Sequence, residues 1–178
     1  MSTRKIACLV IGAIAMAYMT GCATTVPMAS FTREIVPEAR IASKDDAKVR
    51  IEVGPDVTIE ASEKTRLAET IEQKIGSFKI LNNRNDEMKT YEVEILLTRY
   101  DKGNAFARAM LAGLGQIHID GQVKLLEMPE RKLVGEFSIS KTFAWGGIYG
   151  AATKIEDIEM TFADGVASAL TGQTEQKK

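Results

Sequence analysis

Three segments in the second half of this chain alternate apolar and polar residues with a period of two. That pattern limits the possible folds more than any other feature. Tyr91, Val93, Ile95 and Leu97 alternate with Glu92, Glu94 and Thr98. Ile117, Ile119, Val123 and Leu125 alternate with His118, Asp120, Gln122 and Lys124. Leu133, Phe137, Ile139 and Phe143 alternate with Glu136, Ser138, Ser140 and Thr142. Successive side chains of a strand point to opposite faces, so each segment is a strand with one apolar side and one polar side. A sheet built from them must be covered on one face and can meet water on the other.

The connection Met128-Pro129-Glu130-Arg131 is short, so the last two strands form a hairpin. A register follows if Lys124 stands opposite Glu136 and Glu92 opposite Lys124: a Glu-Lys-Glu row on the polar face, with Val93, Val123 and Phe137 together beneath it. A one-residue slip would reverse every face, so the parity is well specified. Earlier in the chain, Val49, Ile51 and Val53 alternate with Arg50 and Glu52 until Gly54-Pro55 stops the strand. Ser62 is read as the cap of a helix running to Ile75, with Leu67, Ala68, Ile71 and Ile75 on one stripe and Gly76 at its end. Phe78, Ile80 and Leu81 suggest a further short strand, and the Asn-rich run 82–86 a loop. In the last helix Thr153 and Glu156 form a capping box; Ile155, Ile158, Phe162, Val166 and Leu170 make its stripe, and Gly172 ends it.

Two one-sided helices and a one-sided sheet have one economical arrangement. The fold class is α/β of the α+β kind. It is a single two-layer sandwich, with a mixed, mainly antiparallel sheet of about five strands and two helices on one face. This domain spans 48–172, and 173–178 is a polar tail.

Residues 1–21 read as a lipoprotein signal peptide. Arg4 and Lys5 supply the basic start, and Ile6 to Met19 an apolar run too short to span a bilayer stably. Gly21-Cys22 then matches a lipobox, with Met19 where Leu, Val or Ile is usual. Cys22 is the expected lipidation site, and residues 22–47 the tether. Several acyl chains together anchor a protein stably, at about 0.8 kcal/mol per buried CH₂. Ala23 after the cysteine implies, by resemblance to Gram-negative lipoproteins, the outer membrane and its periplasmic face. The other cysteine, Cys8, lies in the signal, so the mature chain has no thiol pair. Without Arg4 and Lys5 the 23 basic residues become 21 against 24 acidic, a mature net charge of −3. That balance argues against nucleic acid as a partner.

The strands at 91–100 and 133–144 run the same way in an up-down-up meander. The Gly/Ala-rich segments that follow them, 103–115 and 144–152, therefore emerge at one end of the sheet. They carry Phe106, Met110, Leu111, Leu114, Trp145, Ile148 and Tyr149, with Asn104 and Arg108 as polar contacts. Two readings stand open. The segments plug the end of the core, or they form an exposed surface for a partner, for self-assembly or for the nearby membrane.

Catalysis has little to rest on. His118 and Asp120 share a face with Ser138, Ser140 and Thr142, but side chains on a flat sheet stand parallel and no nucleophile elbow accompanies them. One His and no mature Cys give no metal-ligand set, so neither metal nor cofactor is expected.

The strand Tyr91-Glu92-Val93-Glu94-Ile95, the segment beginning Gly103-Asn104-Ala105-Phe106, Leu114-Gly115-Gln116-Ile117-His118 and Phe143-Ala144-Trp145-Gly146-Gly147 carry a resemblance. The region 49–170 resembles the DUF4410-type bacterial envelope lipoproteins, whose domain has no assigned function. The resemblance implies an envelope lipoprotein and supplies no activity. More distantly, the strand and helix order is similar to small periplasmic lipoprotein domains that activate peptidoglycan synthases or join secretion channels. The expected role is a non-catalytic adaptor that binds another envelope protein through the apolar surface; the alternative is a self-assembling component of an envelope complex.

Overall fold

Each of the three alternating segments is a strand in the computed structural model, which describes residues 25–84, 87–111 and 113–173. The expected signal peptide, Cys22, part of the 82–86 loop and most of the polar tail lie outside the described residues. The elements in chain order are β1 (Met28–Arg33), β2 (Asp46–Val53), α1 (Ala61–Lys79), β3 (Thr90–Asp101), α2 (Ala105–Met110), β4 (Ile117–Glu127), β5 (Lys132–Phe143), α3 (Gly147–Ala152) and α4 (Ile155–Thr171). The five strands form one open sheet in the order β1-β5-β4-β3-β2. Only β2 and β3 are parallel, and a parallel pair needs a crossover, which α1 supplies. The mixed two-layer sandwich expected from the sequence is the one observed. Among the described residues no helix is long and apolar enough to cross a membrane.

The core lies between the sheet's apolar face and the two long helices. Leu67, Ile71 and Ile75 of α1 and Ile158, Phe162, Val166 and Leu170 of α4 are buried against Val93, Ile95, Val123, Phe137 and Ile139. Burying each such side chain is worth about 1.5–3 kcal/mol. Glu159, buried on α4, joins both layers: it accepts from Arg66 Nε at 2.8 Å and Nη2 at 3.0 Å, and from the Tyr100 hydroxyl at 2.6 Å.

Four local expectations are corrected. The first is α1, which does not stop at Gly76 but continues to Lys79, because Phe78 extends the buried stripe. Burying that ring outweighs the roughly 1 kcal/mol that a helical glycine costs. The strand expected at Phe78, Ile80 and Leu81 is therefore absent; Phe78 is helical and the other two are exposed. Secondly, the helix caps lie one or two residues from their expected places. Glu63 Oε2 accepts the Glu60 amide at 3.1 Å, ahead of Ser62, and Asp157 Oδ2 accepts the Lys154 amide at 2.9 Å, in place of the Thr153–Glu156 box.

The third correction is register. Lys124 does face Glu136, but Glu94 rather than Glu92 faces Lys124, and Ile95 joins Val123 and Phe137. The shift is two residues, so the parity survives and both faces keep their character. Arg131, at the hairpin turn, reaches across this face and donates to Glu92 and, at 2.6 Å, to Glu94.

The fourth concerns the tether. Met28–Arg33 is the edge strand β1, paired with β5 through Ala29↔Ile139 and Phe31↔Phe137. Ile35, Ala39, Ile41 and Ala42 behind it are buried, and Ile41 donates its amide to Leu170 at 3.0 Å. At the opposite edge, the Val49 amide of β2 donates to Glu72 Oε1 at 2.8 Å.

Candidate functional site

β3 and β5 end on the same side of the sheet, and both Gly/Ala-rich segments begin there. After β3, Asp101 Oδ1 accepts the Gly103 amide at 2.8 Å and turns the chain. Gly103 has φ +62°, and a side chain there would meet the Gln116 carbonyl at 2.2 Å, so only glycine fits. The Asn104 amide donates to the Gly115 carbonyl at 3.1 Å, closing the neck of the loop. Asn104 Oδ1 accepts from Ala107 at 2.9 Å and caps α2. After β5, Gly150 of α3 packs on the Trp145 carbonyl, where a Cβ would stand at 2.2 Å.

Arg108 holds the two segments together. Its side chain is 3% exposed. Nε donates to the Gly150 carbonyl at 2.8 Å, Nη1 to Gly115 at 2.7 Å, and Nη2 to Thr153 at 3.1 Å. The rigid guanidinium fork suits three carbonyls on two chain segments, which a lysine could not reach together. Burial lowers its pKa from the ordinary arginine value. Such a group stays charged in proteins, so the carbonyl shell takes the place of a carboxylate partner.

The apolar side chains carried by this clamp point outward. Phe106, Met110, Leu111, Leu114, Trp145, Ile148 and Tyr149 are all exposed, Ile148 to 92% and Trp145 to 51%. Trp145 and Tyr149 meet edge to face at 5.7 Å, and Tyr149 rests on the buried Phe143 ring at 6.1 Å. The plug reading therefore does not hold. Among the described apolar side chains here, Phe143 and Ala144 turn inward, and the seven exposed ones form an apolar surface of the kind that soluble monomers seldom leave uncovered. All nine residues named for this surface from the sequence come to this end. Asn104 caps α2 and Arg108 clamps the two segments.

Two residues at this end escaped the sequence reading. Lys141 shares the inward parity of Ile139 and Phe143, and at 3% exposure its amine donates to the Thr25 carbonyl. Burial lowers the Lys141 pKa. A lysine at an apolar-parity position was the available signal. Thr25 itself donates its amide to the Thr142 carbonyl at 3.1 Å and takes the Thr142 amide on its hydroxyl at 2.9 Å.

The polar-face group is two separate pairs. His118 Nδ1 lies 3.0 Å from Thr142 Oγ1, and Ser140 donates to Asp120. No contact links His118 to that Ser–Asp pair, so the relay of a hydrolase is not assembled here. Burial, with Arg99 nearby, lowers the His118 pKa below its usual value.

The family described as "Domain of unknown function (DUF4410)" matches residues 56–147, from the loop before α1 to the start of α3, and so includes the first segment of the apolar end and the beginning of the second. The chain belongs to this DUF4410 family. No curated protein matches it. Among solved structures, the PelC dodecamer of Paraburkholderia phytofirmans is 10% identical with a TM-score of 0.51, over 84% of this chain and 99% of that one. A point variant of PelC, also a dodecamer, gives 8% identity and a TM-score of 0.52, over 83% and 99%. Protein XCC0632 of Xanthomonas campestris, from the family DUF330, is 14% identical with a TM-score of 0.43, over 80% and 94%. At such identities the PelC likeness is one of fold. It covers more of the chain than the DUF4410 match does.

Proposed function

We propose that this DUF4410 protein is a lipoprotein of the outer membrane. Acylated Cys22 holds it on the periplasmic side, where it acts without catalysis as an accessory that keeps another envelope protein at the membrane. The observation that carries this reading is the apolar end, seven exposed apolar side chains on and beside two short helices that a buried arginine fixes in place. A surface built so rigidly and left so apolar is a docking surface. The lipobox before Cys22 supports the envelope location. Cys22→Ser tests it. The variant should take up no labelled palmitate and leave the outer-membrane fraction; a variant that takes up palmitate and stays in that fraction removes the anchor from the reading.

A second reading, self-association, is favoured by one observation: the two PelC structures of like fold are dodecamers. Sedimentation of the lipidated protein in detergent over a concentration series separates the two. A species that grows with concentration supports assembly, and a constant monomer supports the adaptor.

A further inference from the structure

The described chain begins at the apolar end. Thr25 is stitched to Thr142 through both backbone amides, and the buried Lys141 amine holds its carbonyl. β1 runs antiparallel to β5, so the chain traced backward from Met28 heads the way β5 leads into Trp145. Cys22 stands three residues before Thr25. Three residues of fully extended chain cover at most about 11 Å. An acylated Cys22 therefore keeps the bilayer within a short step of Trp145, Ile148 and Tyr149.

We infer that a lipid bilayer surface is what the apolar end docks on: the anchored domain stands on α2 and α3, with Phe106, Trp145, Ile148 and Tyr149 in the headgroup layer. The inference rests on the lipid anchor of that reading and goes beyond it by giving the apolar end to the bilayer instead of to the partner protein. Three observations favour lipid over a protein inserted below the domain. The leash is one. A small folded domain is about 30 Å across, too thick to fit under a leash of about 11 Å. Composition is another: the seven exposed side chains carry no charge, and Trp and Tyr have the apolar body and polar tip that collect at membrane interfaces. The third is rigidity, since Arg108 already fixes the backbone of both helices, so no ordering has to accompany insertion. A protein partner of this end has to reach it from the side or from within the membrane.

The test uses the lipidated protein reconstituted into phosphatidylcholine vesicles whose acyl chains are brominated. Trp145 is the only tryptophan, so its emission reports this end alone. The expected result is loss of most of the emission relative to plain vesicles, unchanged by raised salt because the contact is apolar. Ile148→Glu with Phe106→Glu should leave the protein on the vesicles while restoring the emission. Unquenched Trp145 that acrylamide reaches freely would mean that the end faces water, and the inference fails. Unquenched Trp145 shielded from acrylamide would mean that another copy covers it, and the inference fails equally. If the protein neither carries palmitate nor stays with the vesicles, the anchor reading has failed first and the inference goes with it.

Discussion

The chain carries two sets of apolar side chains on helices, and they meet opposite fates. On α4, Ile155, Ile158, Phe162, Val166 and Leu170 are buried. On α2 and α3, Phe106, Met110, Ile148 and Tyr149 are left exposed by the rest of the domain. The residue types are alike, and what differs is what lies beneath them. α4 spans 17 residues and lies along the sheet, so its stripe has a surface to cover. α2 and α3 span six residues each and sit past the strand ends, where the sheet has no more side chains to offer. Their positions are set by backbone carbonyls and one guanidinium, a polar scaffold that leaves the apolar groups free for something else. A short helix beyond a sheet edge thus displays apolar residues that a long helix over the sheet would bury.

This contrast can be broken at four points. The largest effect belongs to the buried set: Phe162→Ala should lower the unfolding free energy by about 3–5 kcal/mol, measured with urea. A loss below 1 kcal/mol would mean that α4 is not the lid of the core. Next is the clamp. Arg108→Met strands the carbonyls of Gly150 and Thr153, each costing about 1–3 kcal/mol unless water reaches it. Hydrogen exchange should accelerate at 105–115 and 147–153 and stay slow in β3, β4 and β5. Uniform acceleration would make the apolar end part of the core after all.

Smaller still are Leu114→Glu and Ile148→Glu, which as surface changes should each shift stability by no more than about 0.5 kcal/mol. A loss of several kcal/mol from either would return these side chains to the buried set. The smallest effect is a pH slope from the polar face. The folded pKa of His118 is depressed, so below the unfolded value near 6.5 the unfolded chain takes the proton first. Stability should fall as pH drops from there through the folded value, and His118→Gln should remove that part of the slope in thermal melts.

Much of the fold was legible because parity is a local property. Each of Val93, Ile95, Val123 and Phe137 announces its face by its neighbours, whatever strand lies alongside. The pairing of β3 with β4 was not legible to the residue, since a shift of two keeps both faces intact and the 102–116 connection is too long to set it. β1 escaped notice because an edge strand needs only Ala29 and Phe31 to face inward, too few to make a period. Phe78 was misassigned because Gly76 reads as a stop only if nothing beyond it has a place to be buried. For the site, the convergence of 103–115 and 144–152 followed from strand direction alone. Whether it was plug or patch did not, because exposure depends on how far the sheet extends beneath, which no local spacing encodes. Arg108 as the clamp was equally hidden, its partners being carbonyls that every sequence has.

The bond from the Val49 amide to Glu72 has a consequence for growth. β2 and β1 are the two rims of the sheet, and a rim with free amides is a template on which another chain can lay a strand. Glu72 occupies one such amide on β2, and Lys48, Arg50 and Glu52 line the same strand with charge. Head-to-tail stacking of sheets into a fibre requires both rims of every copy to accept a neighbour. With one rim obstructed, pairing by the other alone ends after two molecules. The molecule is thereby protected from the runaway polymer that its open sheet would otherwise permit.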